Sequence, residues 1–168
     1  MPNFDALIRR LLDKYPNNNA RDNNARGKAF EPICKWVLEQ DPYYGPKFRN
    51  VWLWNDWPEH GKELGIDLVA ETVEGKLIAV QAKCYSGSVP MGPIAKFTSA
   101  SRGERYAGRL LIVTSDITEN AEIHLTGCGS HATGALIGVV KLFDVYVATR
   151  SAHNGVLGQR RTHGKNAA

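Results

Sequence analysis

Apolar residues recur at helical spacing over residues 3 to 15, where Phe4, Leu7, Ile8, Leu11 and Leu12 share one side and Arg9, Arg10, Asp13 and Lys14 the other. This predicts a short amphipathic helix. The stretch Pro16 to Asn24, PNNNARDNN, is polar and turn-forming and reads as a loop. A second helical stripe gathers Phe30, Ile33, Cys34, Val37 and Leu38, with Pro32 inside it. Proline lacks an amide proton, so either this helix begins near Glu31 with Pro32 in its first turn or it is kinked there. DPYYGP, from residue 41, ends it.

Period-two patterns take over next. Val51, Leu53 and Asn55 alternate with Trp52, Trp54 and Asp56, which predicts a strand with two unlike faces, followed by a polar loop holding Glu59, His60, Lys62 and Glu63. Gly65 to Tyr85 reads as two strands and a turn, a hairpin. Its second strand places Ile78, Val80, Ala82 and Cys84 on a core face and Leu77, Ala79, Gln81, Lys83 and Tyr85 on the other. A short helix from about Pro93 to Ser101 and the apolar run RLLIVTSD follow, the latter with the character of a central strand. Residues beyond about Glu122 offer one more strand or two, then a small, polar and basic tail. The order helix, helix, strand, strand, strand, helix, strand predicts an α/β domain with a mixed sheet.

The chain has 168 residues, enough for one domain with a real core. We divide it into a helix and Asn-rich linker (1–24), the domain proper (25–148) and a basic tail (149–168). Composition is 43% hydrophobic and 23% charged, and no apolar run approaches the roughly 20 residues of a membrane span. The start does not resemble a secretory signal, so a cytoplasmic location is expected. Cys34, Cys84 and Cys128 are far apart and form no CxxC pair, which argues for reduced thiols. A net charge of +4 permits a polyanionic partner without requiring one.

The hairpin carries the chemistry. Asp67, Gln81 and Lys83 are polar residues on otherwise apolar strands, and the register decides whether they meet. A two-residue Glu74-Gly75 turn would set Asp67 opposite Ala82 and send it to the other sheet face. A three-residue Val73-Glu74-Gly75 turn, with Gly75 in the left-handed conformation, would set Asp67 opposite Gln81. The glycine favours the second. A carboxylate and an amide oxygen, helped by a nearby backbone carbonyl, suit a hard cation such as Mg²⁺, with Mn²⁺ as a substitute, so Asp67 and Gln81 are the expected metal ligands. Lys83 would offset a developing anion or help a water lose its proton. Such a set hydrolyses phosphodiesters.

Gly65-Ile66-Asp67 followed by Gln81-Ala82-Lys83 resembles the signature of the PD-(D/E)xK nuclease superfamily, and within it the Mrr-like restriction branch. The stretches GKAFEPICKWVL, VWLWNDWP and GRLLIVTSD extend the likeness over roughly Gly27 to Asn120, and together resemble the nuclease domain fused ahead of a helicase and methyltransferase in single-chain restriction enzymes. Ile66 stands where the superfamily name has a proline, and Gln81 stands in place of its second acid. The resemblance implies a restriction-endonuclease-like three-layer fold, a mixed sheet flanked by helices, and a Mg²⁺-dependent endonuclease acting on DNA with Glu31, Asp67, Gln81 and Lys83 as its catalytic residues. Double-strand cleavage needs two sites, so a homodimer on DNA is expected, and the resemblance leaves room for a helicase or methyltransferase partner. The rival expectation is a nuclease-fold module that binds DNA or assembles a complex without efficient hydrolysis.

Other candidates read more plainly. Trp36, Trp52, Trp54 and Trp57 could stack on bases, but their strand and helix spacing favours the core. His124, Cys128 and His131 lack a fourth ligand for zinc. Arg160, Arg161, His163 and Lys165 form a solvated basic tail with nonspecific phosphate contacts at most.

Overall fold

The computed structural model describes residues 4–127, except 18, 63, 64, 86 and 103, together with a strand at 137–141. Two helices come first, α1 (Phe4–Lys14) and α2 (Ala20–Gln40). Strands β1 (Phe48–Leu53), β2 (Leu68–Thr72) and β3 (Leu77–Lys83) follow, then α3 (Met91–Ala100), β4 (Gly108–Val113), α4 (Glu119–Gly127) and β5 (Ile137–Lys141). The strands lie side by side in chain order as one five-stranded sheet. β1–β2 and β2–β3 are antiparallel, whereas β3–β4 and β4–β5 are parallel, so the sheet is mixed as expected. No helix among the described residues is long and apolar enough to cross a membrane.

Both sheet faces are covered, which makes three layers. On one face α1 and α2 bring Ile8, Leu11, Phe30, Cys34, Val37 and Leu38 against Leu68, Ala70, Ile78, Val80, Leu110 and Ile112. On the other, Ile94 and Phe97 of α3 and Ala121 of α4 pack on Val69, Ala79, Leu111 and Val113. Phe30 and Phe97 are fully buried, one per face, and each contributes roughly 1.5–3 kcal/mol by leaving water. The face of β3 that bears Ala79 and Gln81 is therefore a second core, not a polar surface.

Three expectations require correction. Pro16–Asn24 is not all loop: Asn19 is an N-cap whose side chain accepts from the Asp22 amide at 2.8 Å, and α2 runs from Ala20 across the boundary placed at residue 24. The helix does not begin near Glu31 either, since Pro32 sits inside it. Pro32 is exposed, so its ring points away from the core that holds the helix together. The strand read through Asp56 stops at Leu53, and Trp54–Asp56 form a 3-10 turn. Helix α4, which no periodicity announced, is added. The tail at 149–168, with Arg160, Arg161, His163 and Lys165, and the residues Cys128 and His131 lie outside the described residues.

The hairpin turn has the three-residue form. Thr72 donates its amide to the Lys76 carbonyl at 2.8 Å, Gly75 donates to the Thr72 carbonyl at 2.9 Å, and Gly75 has φ +80°, where a side chain would be strained. The pairs Ala70–Ile78, Val69–Ala79 and Leu68–Val80 continue from it, and Asp67, just beyond the last of them, donates its amide to the Val80 carbonyl at 2.9 Å, which leaves it beside Gln81 and Ala82.

Candidate active site

Where β3 runs past the start of β2, a cleft of about 530 Å³ opens between α2 and the first half of α3. Glu31, Asp67, Gln81 and Lys83 all line it, so the structure brings together every site residue expected from the sequence. Each arrives for a local reason.

Gly65 has φ +93°, a conformation that a glycine adopts readily. The bend sends Ile66 into the α3-side core, where it is 2% exposed, and delivers Asp67 to the sheet. Asp67 is then tied three ways. Its amide donates to the Val80 carbonyl at 2.9 Å, and its carbonyl accepts from the Trp54 amide at 2.9 Å. Its Oδ2 accepts from the Ala82 amide at 2.9 Å, taking the place of a backbone acceptor where the β2 strand has not yet begun.

Gln81 is 2% exposed. Its Nε2 donates to the Gly65 carbonyl at 2.8 Å. A carbonyl can only accept, so this contact fixes the amide's orientation and leaves Oε1 as the other end. Among the described residues no donor reaches Oε1, although it is buried. An unmatched buried acceptor costs on the order of 1–3 kcal/mol, a reason to expect a cation or donor there when the site is filled. Lys83 ends β3 with Nζ 3.9 Å from Asp67 Oδ2 and a side chain 21% exposed. Glu31 projects from α2 and pairs with Lys28 Nζ at 3.2 Å.

Cys34, one turn beyond Glu31, lies beneath these acids. Burial pushes its thiol well up, and the nearby Asp67, Cys84 and Glu31 push in the same direction. Burial also raises Cys84, opposed by its hydrogen bond with Thr114 and by the Arg26 charge. Both are free thiols.

The donor set can be weighed against Mg²⁺. No three His, Cys, Asp or Glu side chains among the described residues gather as a metal-ligating group. The oxygens on offer are the Asp67 carboxylate, the unmatched Gln81 amide oxygen and Glu31 on the facing helix. All are hard donors, and a cation that keeps several waters needs few from the protein, so the set fits.

Sequence reasoning passed over three cleft residues. Arg26 is buried and donates to the Cys84 carbonyl (3.0 Å), the Tyr15 carbonyl (3.2 Å) and Asn23 Oδ1 (2.6 Å), which ties α1 and α2 to the end of β3. It stands four residues before Phe30, so the buried stripe itself could have revealed it. Lys28 and Lys96 carried no such signal. The tryptophans divide: Trp54 and Trp57 are buried, whereas Trp36 is 41% exposed.

A restriction endonuclease family model, Mrr_cat_2, matches residues 39–144, well over half of the chain; the match includes Asp67, Gln81 and Lys83 and stops short of Glu31. No curated protein matches. Among solved structures, the ATP-dependent Type ISP restriction-modification enzyme LlaBIII, bound to DNA, is similar over 82% of this chain at 27% identity with a TM-score of 0.62. MspJI restriction endonuclease, in complex with a 27-mer oligonucleotide, is similar over 86% at 16% identity with a TM-score of 0.56. The DNA modification-dependent restriction endonuclease AspBHI is similar over 90% at 17% identity with a TM-score of 0.51. The chain spans only 8%, 30% and 36% of those three proteins, and the latter two likenesses show the fold alone. By its matched family and by its three-layer fold, the chain belongs to the Mrr-type restriction endonucleases.

Proposed function

We propose that the chain is a Mg²⁺-dependent endodeoxyribonuclease of the PD-(D/E)xK type that hydrolyses DNA phosphodiesters in the cytoplasm as part of a restriction system. The observation that carries this reading is the buried, unmatched Gln81 Oε1 in the same cleft as the Asp67 carboxylate and the Lys83 ammonium. Asp67 and Gln81 would hold the cation, with Mn²⁺ as a substitute and Glu31 assisting from α2. The cation supplies charge neutralisation at the phosphate and a lowered pKa for water.

The remaining steps belong to the protein. Asp67 is oriented by the Ala82 amide, so its carboxylate needs little reorganisation. Gln81 is fixed by Gly65, which presents Oε1 without rotamer freedom. Lys83 stands beside Asp67 and stabilises the extra negative charge that builds on the phosphate as water attacks. Cutting both strands of a duplex takes two such sites, so pairing of two chains on DNA is part of the proposal. A helicase or methyltransferase partner is also part of it, with the ATP-dependent restriction-modification enzyme LlaBIII as a precedent for this fold within a larger protein.

Supercoiled plasmid should be nicked in Mg²⁺ and spared in EDTA. Lys83→Ala should lower the rate at least about 100-fold while duplex binding stays near the parent's, because only the transition-state cation is lost. Asp67→Ala should remove cleavage altogether. If Lys83→Ala nicks at the parent rate, the hydrolytic reading is wrong; binding with no nicking by the parent would instead assign a DNA-holding module.

A further inference from the structure

Four cations line the cleft, and three are already engaged. Arg26 is spent on two backbone carbonyls and Asn23. Lys28 pairs with Glu31 and Lys83 with Asp67. The fourth, Lys96 on α3, is exposed and makes no hydrogen bond or ion pair among the described residues. Its stem is nonetheless placed. A Cβ built on Gly65 would lie 3.5 Å from Lys96 Cγ and 3.6 Å from Cδ and Cε, so the aliphatic chain runs along the bare Cα of the residue that turns the backbone into Asp67. Stem packing of this kind lowers the rotamer entropy lost when the ammonium is gripped by a ligand.

The surroundings keep that ammonium approachable. Gly65, Gly92 and Pro93 form the cleft wall beside it, and a Cβ built on Gly92 would meet nothing within 4 Å. A wall without long side chains lets a polynucleotide backbone come close. Lys83 and Asp67 already occupy the position suited to the phosphate being cut, so a further cation of the same cleft, seated on Gly65, is placed for a neighbouring one.

We infer that Lys96 is a DNA-phosphate anchor, holding a phosphate of the cleaved strand adjacent to the scissile one, with Gly65 serving as the seat for its stem. This rests on DNA being the substrate of the cleft. The role is binding and positioning, and its signature is electrostatic.

The test measures binding of a short fluorescein-labelled duplex by anisotropy with Ca²⁺ in place of Mg²⁺, across a salt series, alongside plasmid nicking by the parent in Mg²⁺. Lys96→Ala should weaken binding several-fold and reduce the slope of log K against log salt by about 0.9, the amount expected for one lost phosphate contact. Lys96→Arg should restore the slope. Lys76→Ala, at the far end of β3, should leave it at the parent value. An unchanged slope in Lys96→Ala, an equal drop in Lys76→Ala, or a parent that does not bind duplex would each overturn the inference. A nicking parent with an unchanged slope would sink the anchor and spare the nuclease reading. A non-nicking parent whose slope falls in Lys96→Ala would keep Lys96 as a phosphate contact of a DNA-holding module and overturn its place beside a scissile phosphate.

Discussion

Asp67 has a structural task beside the chemical one proposed for it, and both fall to one atom: Oδ2 accepts from the Ala82 amide and faces Lys83 Nζ at 3.9 Å. Removing the side chain therefore strands a buried amide, whereas changing its charge does not. Asp67→Ala should lose about 1–3 kcal/mol in urea unfolding. Asp67→Asn keeps an acceptor for Ala82 and should stay within about 1 kcal/mol of the parent. The two variants should be equally unable to nick DNA, and a Tm rise produced by Mg²⁺ in the parent should be absent from both. Gln81 shows the same coupling, since its Nε2 donates to the Gly65 carbonyl and its Oε1 is the buried end without a partner among the described residues.

Helix α2 forms against its own sequence. It carries three asparagines or aspartates in its first turns and a proline at position 32, and is held by the buried stripe of Arg26, Phe30, Cys34, Val37 and Leu38. Pro32 deprives the Lys28 carbonyl of its intrahelical donor without touching the core, because its ring is exposed. Pro32→Ala should thus stabilise the protein by about 1–3 kcal/mol, seen as a higher urea midpoint with an unchanged m-value. The same helix shows what was legible in the sequence. The stripe after Phe30 and the alternation of the hairpin could be read because burial imposes a period. The true start at Ala20 could not, because one Asn19 cap outweighed a run of loop-forming residues. α4 escaped because Ala121 is buried while Ile123 is 60% exposed, leaving no apolar stripe to detect. In the site, Asp67, Gln81 and Lys83 were legible as polar intrusions on strands and Gly75 as the clue to their register. Lys96 was not, since an exposed lysine looks the same wherever it stands, and its place over Gly65 is a matter of tertiary packing.

Over the whole molecule, the sheet's two cores exclude water from groups that would ionise in alkali. Burial holds the Cys34 thiol well above its ordinary 9.0, and raises the Tyr44 phenol from 10.0 to about 12. Both are neutral acids in the folded chain. Their stabilising contribution is complete below the unfolded values and is lost as pH rises through the interval up to the folded ones, since the unfolded chain then binds fewer protons. Unfolding free energy should consequently decline between about pH 8 and about pH 10, and fall further above it as Tyr44 enters its interval. In Cys34→Ala, urea titrations at the two pH values should differ less than in the parent, whatever the variant loses in packing.

The pairing of Thr72 with Lys76 across the Val73-Glu74-Gly75 turn makes the candidate site a matter of register. Leu68 and Val80 each stand four residues from that closing pair, so they stay opposite, with Asp67 and Gln81 next along each strand, whatever length of tip joins the pair. Surface loops ordinarily absorb insertions and deletions with little consequence. The tip should do so here too, whereas a single codon added or deleted within a strand, between Asp67 and Thr72 or between Lys76 and Gln81, would turn Asp67 and Gln81 to opposite sheet faces and leave a sheet that still pairs around a dismantled site. Point substitutions at exposed Val73 or Glu74 carry no such penalty. Lineages of this domain should accordingly vary in the length and makeup of the tip and hold constant the spacing of Asp67 and of Gln81 from the closing pair.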